Sequence, residues 1–422
     1  MSRSVPNAMN VAAQPLTHPD RAFSVEQLLA KPKVQEAFEY FEGCEEEITR
    51  EQMAICSIPA PPFNELVRAQ YLRERFIETG LQDTVIDEEG NCIAVRSGDA
   101  QKPLVVVSAH LDTVFPASTD FLVRRVGNKL FGPGVSDDGC GLAALIALTR
   151  VFQSLQISTS GSLLFVGSVG EEGEGNLRGV QHLCTKGKWA GKIDAFISFD
   201  GPGVEYITNR ALASRRYRIR ARGAGGHSWA DFGTANPVQA LGRAIAKLAT
   251  YPTHMHPRTT FNVARIVGGT SVNAIPTEAL MDVDLRSATD EGLVRLDAFF
   301  RRAIQEATDD ENSAARKDSR PLNMAVDLIG ERPGGETPES SGLVQLALEA
   351  TRMLGFKPQL EQASTDSNLP MSLGIPAITL GAGGTSANSH TLEEWYDATN
   401  RVAGLKRALL VILGSAGIGE IS

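Results

Sequence analysis

Three apolar runs constrain this chain more than any other feature. PLVVVSAH (Pro103–His110), SLLFVGS (Ser162–Ser168) and IDAFISF (Ile193–Phe199) are almost unbroken series of aliphatic and aromatic residues. A strand with one wet face alternates apolar and polar residues, whereas a strand that is apolar throughout is covered on both faces. A helical stretch at Gly141–Leu155 lies between the first two. Near the end of the chain, helix Ser341–Leu354 and strand Ala377–Leu380 continue the alternation. The fold class expected is α/β: a mixed, largely parallel sheet with helices on both faces.

From about residue 211 the pattern changes. ALASRRYRIRARG alternates polar and apolar residues, as a half-exposed antiparallel strand does. Helix Pro237–Ala249, strands near Thr260–Ile266 and Ala279–Arg286, helix Glu291–Thr308 and strand Met324–Ile329 follow. This β-α-β-β-α-β order is the ferredoxin-like α+β arrangement. It predicts an inserted domain at 211–334 between the two parts of an α/β domain, 1–210 and 335–422. ERPGGETPESS reads as the returning linker. At the other end, Ser24–Arg50 has the spacing of two amphipathic helices, and the first ~20 residues read as a loose polar arm.

Composition removes several function classes. Acidic residues outnumber basic ones, 50 to 41, for a net charge of −9, which argues against nucleic-acid binding. No apolar run approaches the ~18–20 residues of a membrane span. Five scattered cysteines without a CxxC argue against a disulfide framework or a cysteine zinc site, and fit a cytoplasmic protein without a signal peptide.

The polar residues at the ends of the buried runs carry the chemistry. His110 and Asp112 close the first run; in open α/β sheets ligands bind at the carboxyl ends of the strands. GPGVSDDGCG (Gly132–Gly141) places Asp137 and Asp138 before a helix, where a phosphate would be repelled and a cation favoured. GEEGEG (Gly170–Gly175) follows the second run with Glu171 and Glu172, one suited to a metal and the other to a proton. Asp200 follows the third, and His390 lies in a Gly/Ser-rich loop after Ala377–Leu380. Any one of these is weak evidence, since strand ends often finish in a cap or a solvated loop. Five together indicate a cation site, because buried carboxylates need compensating charge. Imidazole and carboxylate donors suit Zn²⁺, Mn²⁺ or Co²⁺, and their number suits two ions. His18, His182, His254 and His256 read as surface residues.

In this order, SAHLDTV, GPGVSDDGCG, GEEGEG, SFDG, GAGGHS, GGTSVNAIP with DVDLRS, and NSHTLEEW resemble the dinuclear zinc metallopeptidases that include peptidase T, glutamate carboxypeptidase, acetylornithine deacetylase and aminoacylase. The resemblance runs from about residue 55 to 400. It implies a zinc-peptidase-like domain with an inserted lid through which the chain forms a homodimer. It further implies that His110 and Asp200 hold one metal, Glu172 and His390 the other, and that Asp137 bridges them. Asp112 would orient His110 and Glu171 would be the general base. His227 in GAGGHS would reach the partner's active site, and Asn273 and Arg286 would contact substrate. The Gly381–Gly384 loop would present backbone N–H groups. One position departs: many relatives carry Lys two residues after the bridging aspartate, where this chain has Gly139.

The activity expected is hydrolysis of the amide bond of a small peptide or N-acyl amino acid. NSHTLEEW and the paired aspartates favour a short-peptide exopeptidase of the peptidase-T type. The alternative is an N-acyl-amino-acid amidohydrolase or a glutamate-carboxypeptidase-like enzyme. A non-catalytic binding protein on the same fold would have lost a ligand or the base, and none is missing.

Overall fold

A computed structural model describes residues 24–252 and 254–419. His18 and the polar arm lie outside these residues. The chain builds two principal sheets. The larger has nine strands, with the sheet order 82–86, 92–96, 162–168, 104–110, 195–199, 377–380, 206–211 and 335–336, and 359–363 also pairing with 206–211. The strands Ser162–Ser168, Leu104–His110, Ala195–Phe199 and Ala377–Leu380 are mutually parallel at its centre. Antiparallel pairs flank them.

The apolar runs behave as fully covered strands. Val105, Val107 and Ala109 point into a core shared with helices Gly139–Ser154 and Arg401–Ala416, while Leu104 and Val106 point into a second core with helix Arg178–Thr185. All seven residues of Leu104–His110 are buried. Burial of this kind contributes on the order of 25 cal/mol per Å² of apolar surface. Parallel pairing brings the carboxyl ends of the three runs to one edge, because Val107 sits opposite both Phe165 and Ile197.

The second sheet is antiparallel, in the order 254–255, 258–268, 278–287, 213–222 and 323–332. Its four long strands and helices Pro237–Leu248 and Asp290–Ala314 follow the chain order read from the sequence. Tyr217, Ile219 and Ala221 point towards the helices, so the intervening arginines share the other face. The last strand, Asn323–Arg332, is longer than expected, and Gly335–Glu336 then pairs in the large sheet. ERPGGETPESS is therefore partly strand, because ladder partners on Ser214 and Arg215 extend the pairing to Arg332. Three helices, Val25–Leu29, Pro32–Gly43 and Glu45–Cys56, replace the two expected near the start. Among the described residues no helix is long and apolar enough to cross a membrane.

Candidate active site and metal centre

The site is assembled at the carboxyl edge of the large sheet. His110 is the last residue of its strand and Asp200 directly follows Phe199. Glu171 and Glu172 follow Ser168 through a tight turn at Gly170, whose φ is 69°. A Cβ at Gly170 would meet the Arg178 side chain at 2.7 Å, so the turn requires glycine on both counts.

Asp137 sits between the two histidines. His110 Nε2 lies 2.9 Å from its Oδ1 and His390 Nε2 2.8 Å from its Oδ2. His390 Nε2 is also 3.0 Å from Glu172 Oε1. Two donor groups share this aspartate: His110 with Asp137 and Asp200, and Asp137 with Glu172 and His390, each with atoms within 4.8 Å of one another. A third, His110 with Glu171 and Glu172, overlaps them. Asp138 faces away. It caps helix Gly139–Ser154 and accepts from the N–H groups of His110, Gly141 and Gly201 at 3.2, 3.2 and 3.3 Å.

The electrostatics are those of crowded acids. Burial pushes the Asp200 carboxyl well up, and the charge of Asp137 adds to this. Burial also raises Glu171, to about 8, with Arg332 opposing and Glu172 reinforcing the shift. His390 is raised to about 10 by its hydrogen bonds to Asp137 and Glu172. Two imidazoles and three carboxylates converging at this edge, from buried His110 and Glu172 out to exposed His390, form a donor set that fits divalent cations of the zinc type.

Asp112 supports the site differently from the expectation. The ring Nδ1 of His110 is 3.0 Å from the Asp112 carbonyl but 3.7 Å from its carboxylate. The carboxylate instead accepts the N–H groups of Glu171 at 3.0 Å and Glu172 at 2.7 Å. Asp112 thus orients the histidine through its backbone and the glutamate pair through its side chain.

Several contributors escaped the sequence reading. Glu394, buried in the loop after His390, accepts from Gly134 N, Ser136 N and Ser136 Oγ at 3.0, 2.8 and 2.7 Å. It clamps the loop of Asp137 to that of His390. Arg332, at the end of the second sheet's last strand, lies 2.7 Å from Glu171 Oε1. Asp366 accepts from the Ser168 hydroxyl beneath the site, and burial raises its carboxyl to about 6. A pattern search for paired buried charges would not have found these, because each partner is more than a hundred residues away.

Gly139 has a local reason. A Cβ there would lie 2.1 Å from Cys56 Sγ and 2.6 Å from the Gly134 carbonyl. The missing lysine is therefore a packing consequence of Cys56. In the Gly381–Gly384 loop, two of the four N–H groups are engaged within the fold: those of Ala382 and Gly383 donate to Gly201 and Gly203 carbonyls at 2.9 and 3.0 Å.

A cavity of about 300 Å³ opens over this cluster, lined by the acids Asp137, Glu171, Glu172, Asp200 and Glu361, by His390 and by the arginines Arg216, Arg286 and Arg332. His227 and Asn273 do not line it. They are exposed and adjacent in the second sheet's domain, where His227 pairs with Ala274.

Peptidase family M20/M25/M40 matches residues 106–413, and the chain belongs to that family. It is an enzyme that hydrolyses amide bonds. It is 23% identical to the uncharacterized protein YqjE of Bacillus subtilis, over 80% of this chain and 91% of that one. It is 28% identical to the succinyl-diaminopimelate desuccinylase of Nitrosococcus oceani, over 52% of this chain and 62% of the relative. Among solved structures it resembles aminopeptidase PepT from Bacillus cereus (TM-score 0.68, 20% identity, 88% of this chain and 98% of that one). It also resembles the di-peptidase Dug1p from Saccharomyces cerevisiae (TM-score 0.74, 16% identity, 92% and 99%).

Proposed function

We propose that this chain is a two-metal exopeptidase acting on short peptides. The observation that carries this is the position of Asp137, with one carboxylate oxygen on each histidine and Glu171 beside the pair. His110 and Asp200 would hold one ion, Glu172 and His390 the other, with Asp137 shared; Zn²⁺ fits this donor set best, and Co²⁺ or Mn²⁺ would also fit. When bound, such a pair supplies Lewis acidity towards an amide carbonyl and lowers the pKa of water.

The chain's own residues do the rest. Glu171 takes a proton from water and passes one to the leaving nitrogen. Arg332 holds its carboxyl in place, and Asp112 fixes the backbone that carries it. Arg286 lines the cavity and takes a substrate carboxylate. His227 and Asn273 are assigned to the neighbouring active site of a homodimer, His227 to the developing oxyanion and Asn273 to substrate. Their exposure away from the cavity supports this, as do exposed Trp229, Phe232 and Val272 nearby and the outer edge of strand Arg258–Gly268, which strand 254–255 pairs only at Arg258 and Thr259. In this reading 1–210 and 335–422 form the catalytic domain and 211–334 the lid. The scattered cysteines, four of them buried, fit a reducing compartment, the cytoplasm.

The likeness to aminopeptidase PepT and to a tripeptidase from Staphylococcus aureus supports the peptidase reading. The desuccinylase relative, at higher identity, favours N-acyl amino acids as the second reading. One tripeptide, with and without an N-acetyl cap, separates them when given to zinc-loaded enzyme beside a chelated control. Cleavage of the free-amine peptide alone supports the exopeptidase. Release of acetate from the capped one transfers the enzyme to the deacylases.

A further inference from the structure

Glu361 is the acid on the cavity wall to which the metal centre gives no task. Asp137, Glu172 and Asp200 belong to the converging donor groups, and Glu361 belongs to none of them. Glu171 is paired with Arg332. The other two arginines of the wall, Arg216 and Arg286, share the carboxylate of Asp284 at 3.3 and 2.6 Å. Among the described residues Glu361 has no ion-pair partner.

Its position follows from the strand that carries it. In Gln359–Ala363, Leu360 packs against the large core and Gln362 Nε2 donates to the carbonyls of Ala211 and Ala288. Side chains alternate along a strand, so Glu361 and Ala363 face the cavity. Parallel pairing sets Glu361 opposite Thr208, and a bulge then passes over Asn209 before Gln362 meets Arg210. The buried Thr208 hydroxyl donates to Glu361 Oε1 at 2.9 Å. The carboxylate is thus held from the sheet and keeps acceptor capacity for further donors. Thr365 and Thr379 line the same part of the wall, with their hydroxyl oxygens 2.7 Å apart.

A half-buried carboxylate without a counter-charge favours a cation, and an ammonium brings three N–H donors to such oxygens. A peptide with free termini carries both charges that this wall can take, a carboxylate for Arg286 and an ammonium for Glu361. A substrate with no ammonium would displace water from Glu361 and leave it unpaired. We propose that Glu361 is a specificity-determining residue that takes an ammonium group of the substrate. This rests on the exopeptidase reading above and deepens it.

The test uses near-isosteric pairs. One sets Leu-Gly-Gly against its 2-hydroxy analogue, which replaces the α-ammonium; the other sets a lysine tripeptide against its norleucine counterpart. Zinc-loaded enzyme is expected to favour the ammonium member of at least one pair by about tenfold or more in kcat/KM. The pair that responds tells an α-ammonium from a side chain as the source. Glu361→Gln keeps an oxygen for Thr208 and removes the charge; it should bring the ratio towards one, mainly through KM. A preference that survives Glu361→Gln belongs to another group, such as the metal centre, and overturns the assignment. So does hydrolysis with no preference in either pair. Calorimetry of the full chain with pentylamine and pentanol reads the subsite without turnover, and the amine should bind more tightly in a Glu361-dependent way. That selectivity in a protein that cleaves none of these peptides upholds the subsite and removes the exopeptidase reading instead.

Discussion

Arg332 Nη1 lies 2.7 Å from Oε1 of Glu171, and its other terminal nitrogen donates to the Glu171 carbonyl. One residue ends a strand of the smaller sheet; the other follows a strand of the larger. The proposed base is thus gripped, side chain and backbone, from across the junction between the two sheets. Both side chains are about 6% exposed, so the charges are little screened. Arg332→Met should lower kcat by roughly 10- to 100-fold, the worth of a charged hydrogen bond, with a smaller change in KM and unchanged metal content. Burial would then raise Glu171 against less opposition, moving the acid limb of the rate profile to higher pH. A profile that stays in place would sink the positioning role.

Glu171→Gln removes the proton acceptor and keeps the shape. Turnover should fall by on the order of 10²–10⁴, while zinc stoichiometry, measured by elemental analysis, stays at the wild-type value. Substantial residual activity would move the base elsewhere.

Gly139 tests the packing account of the missing lysine. Gly139→Ala should destabilise the fold by about 1–3 kcal/mol, because neither Cys56 Sγ nor the Gly134 carbonyl leaves room for a methyl group. Adding Cys56→Ala should recover only part of this, since the carbonyl contact remains. Denaturant unfolding of the single and double variants measures both. An additive double variant would show that Cys56 is not the obstacle.

Asp366 supplies a pH signature. Its Oδ1 is buried without a partner among the described residues, and burial raises the carboxyl to about 6 from 3.8. The folded state therefore keeps a proton that the unfolded chain releases. Stability from this group is full below about pH 4 and is lost as the pH rises to about 6, with an upper bound of about 3 kcal/mol. Asp366→Asn should raise Tm by a few degrees at pH 8 and by little at pH 4. Equal offsets at the two pH values would contradict the assignment.

The proposed dimer interface is checked by the exposed aromatics near His227. Trp229 and Phe232 are 88% and 82% exposed. Sedimentation of the wild type should show a dimer. Trp229→Asp with Phe232→Asp should give a monomer with reduced turnover, because His227 and Asn273 would lose the site they serve. A wild-type monomer with full activity would refute the shared site.

The α/β and ferredoxin-like patterns were legible because they are written in local periodicity. Val105, Val107 and Ala109 alternate with Val106 and Ser108 between two covered faces, and Tyr217, Ile219 and Ala221 alternate with arginines beside one. Recurrent acids and histidines at strand ends were equally visible, since parallel pairing must bring such ends to one edge. The resemblance carried by GPGVSDDGCG could name Asp137 over Asp138, although only the folded loop shows why: one faces both histidines and the other caps a helix.

What the sequence by itself determined is the two alternation patterns and the kinds of polar residue at the strand ends, because both depend on residues close together in the chain. Tertiary structure alone decided which charges meet. Arg332 lay within an apparent linker, Glu394 in a loop noticed for its histidine, and Arg216 in a strand noticed for its alternation. Each acquires its role from a partner brought near by packing: Glu171 across the sheet junction, the Gly134–Ser136 backbone, and a carboxylate shared with Arg286. Electrostatic energy depends on separation in space and on burial, and neither is encoded in spacing along the chain.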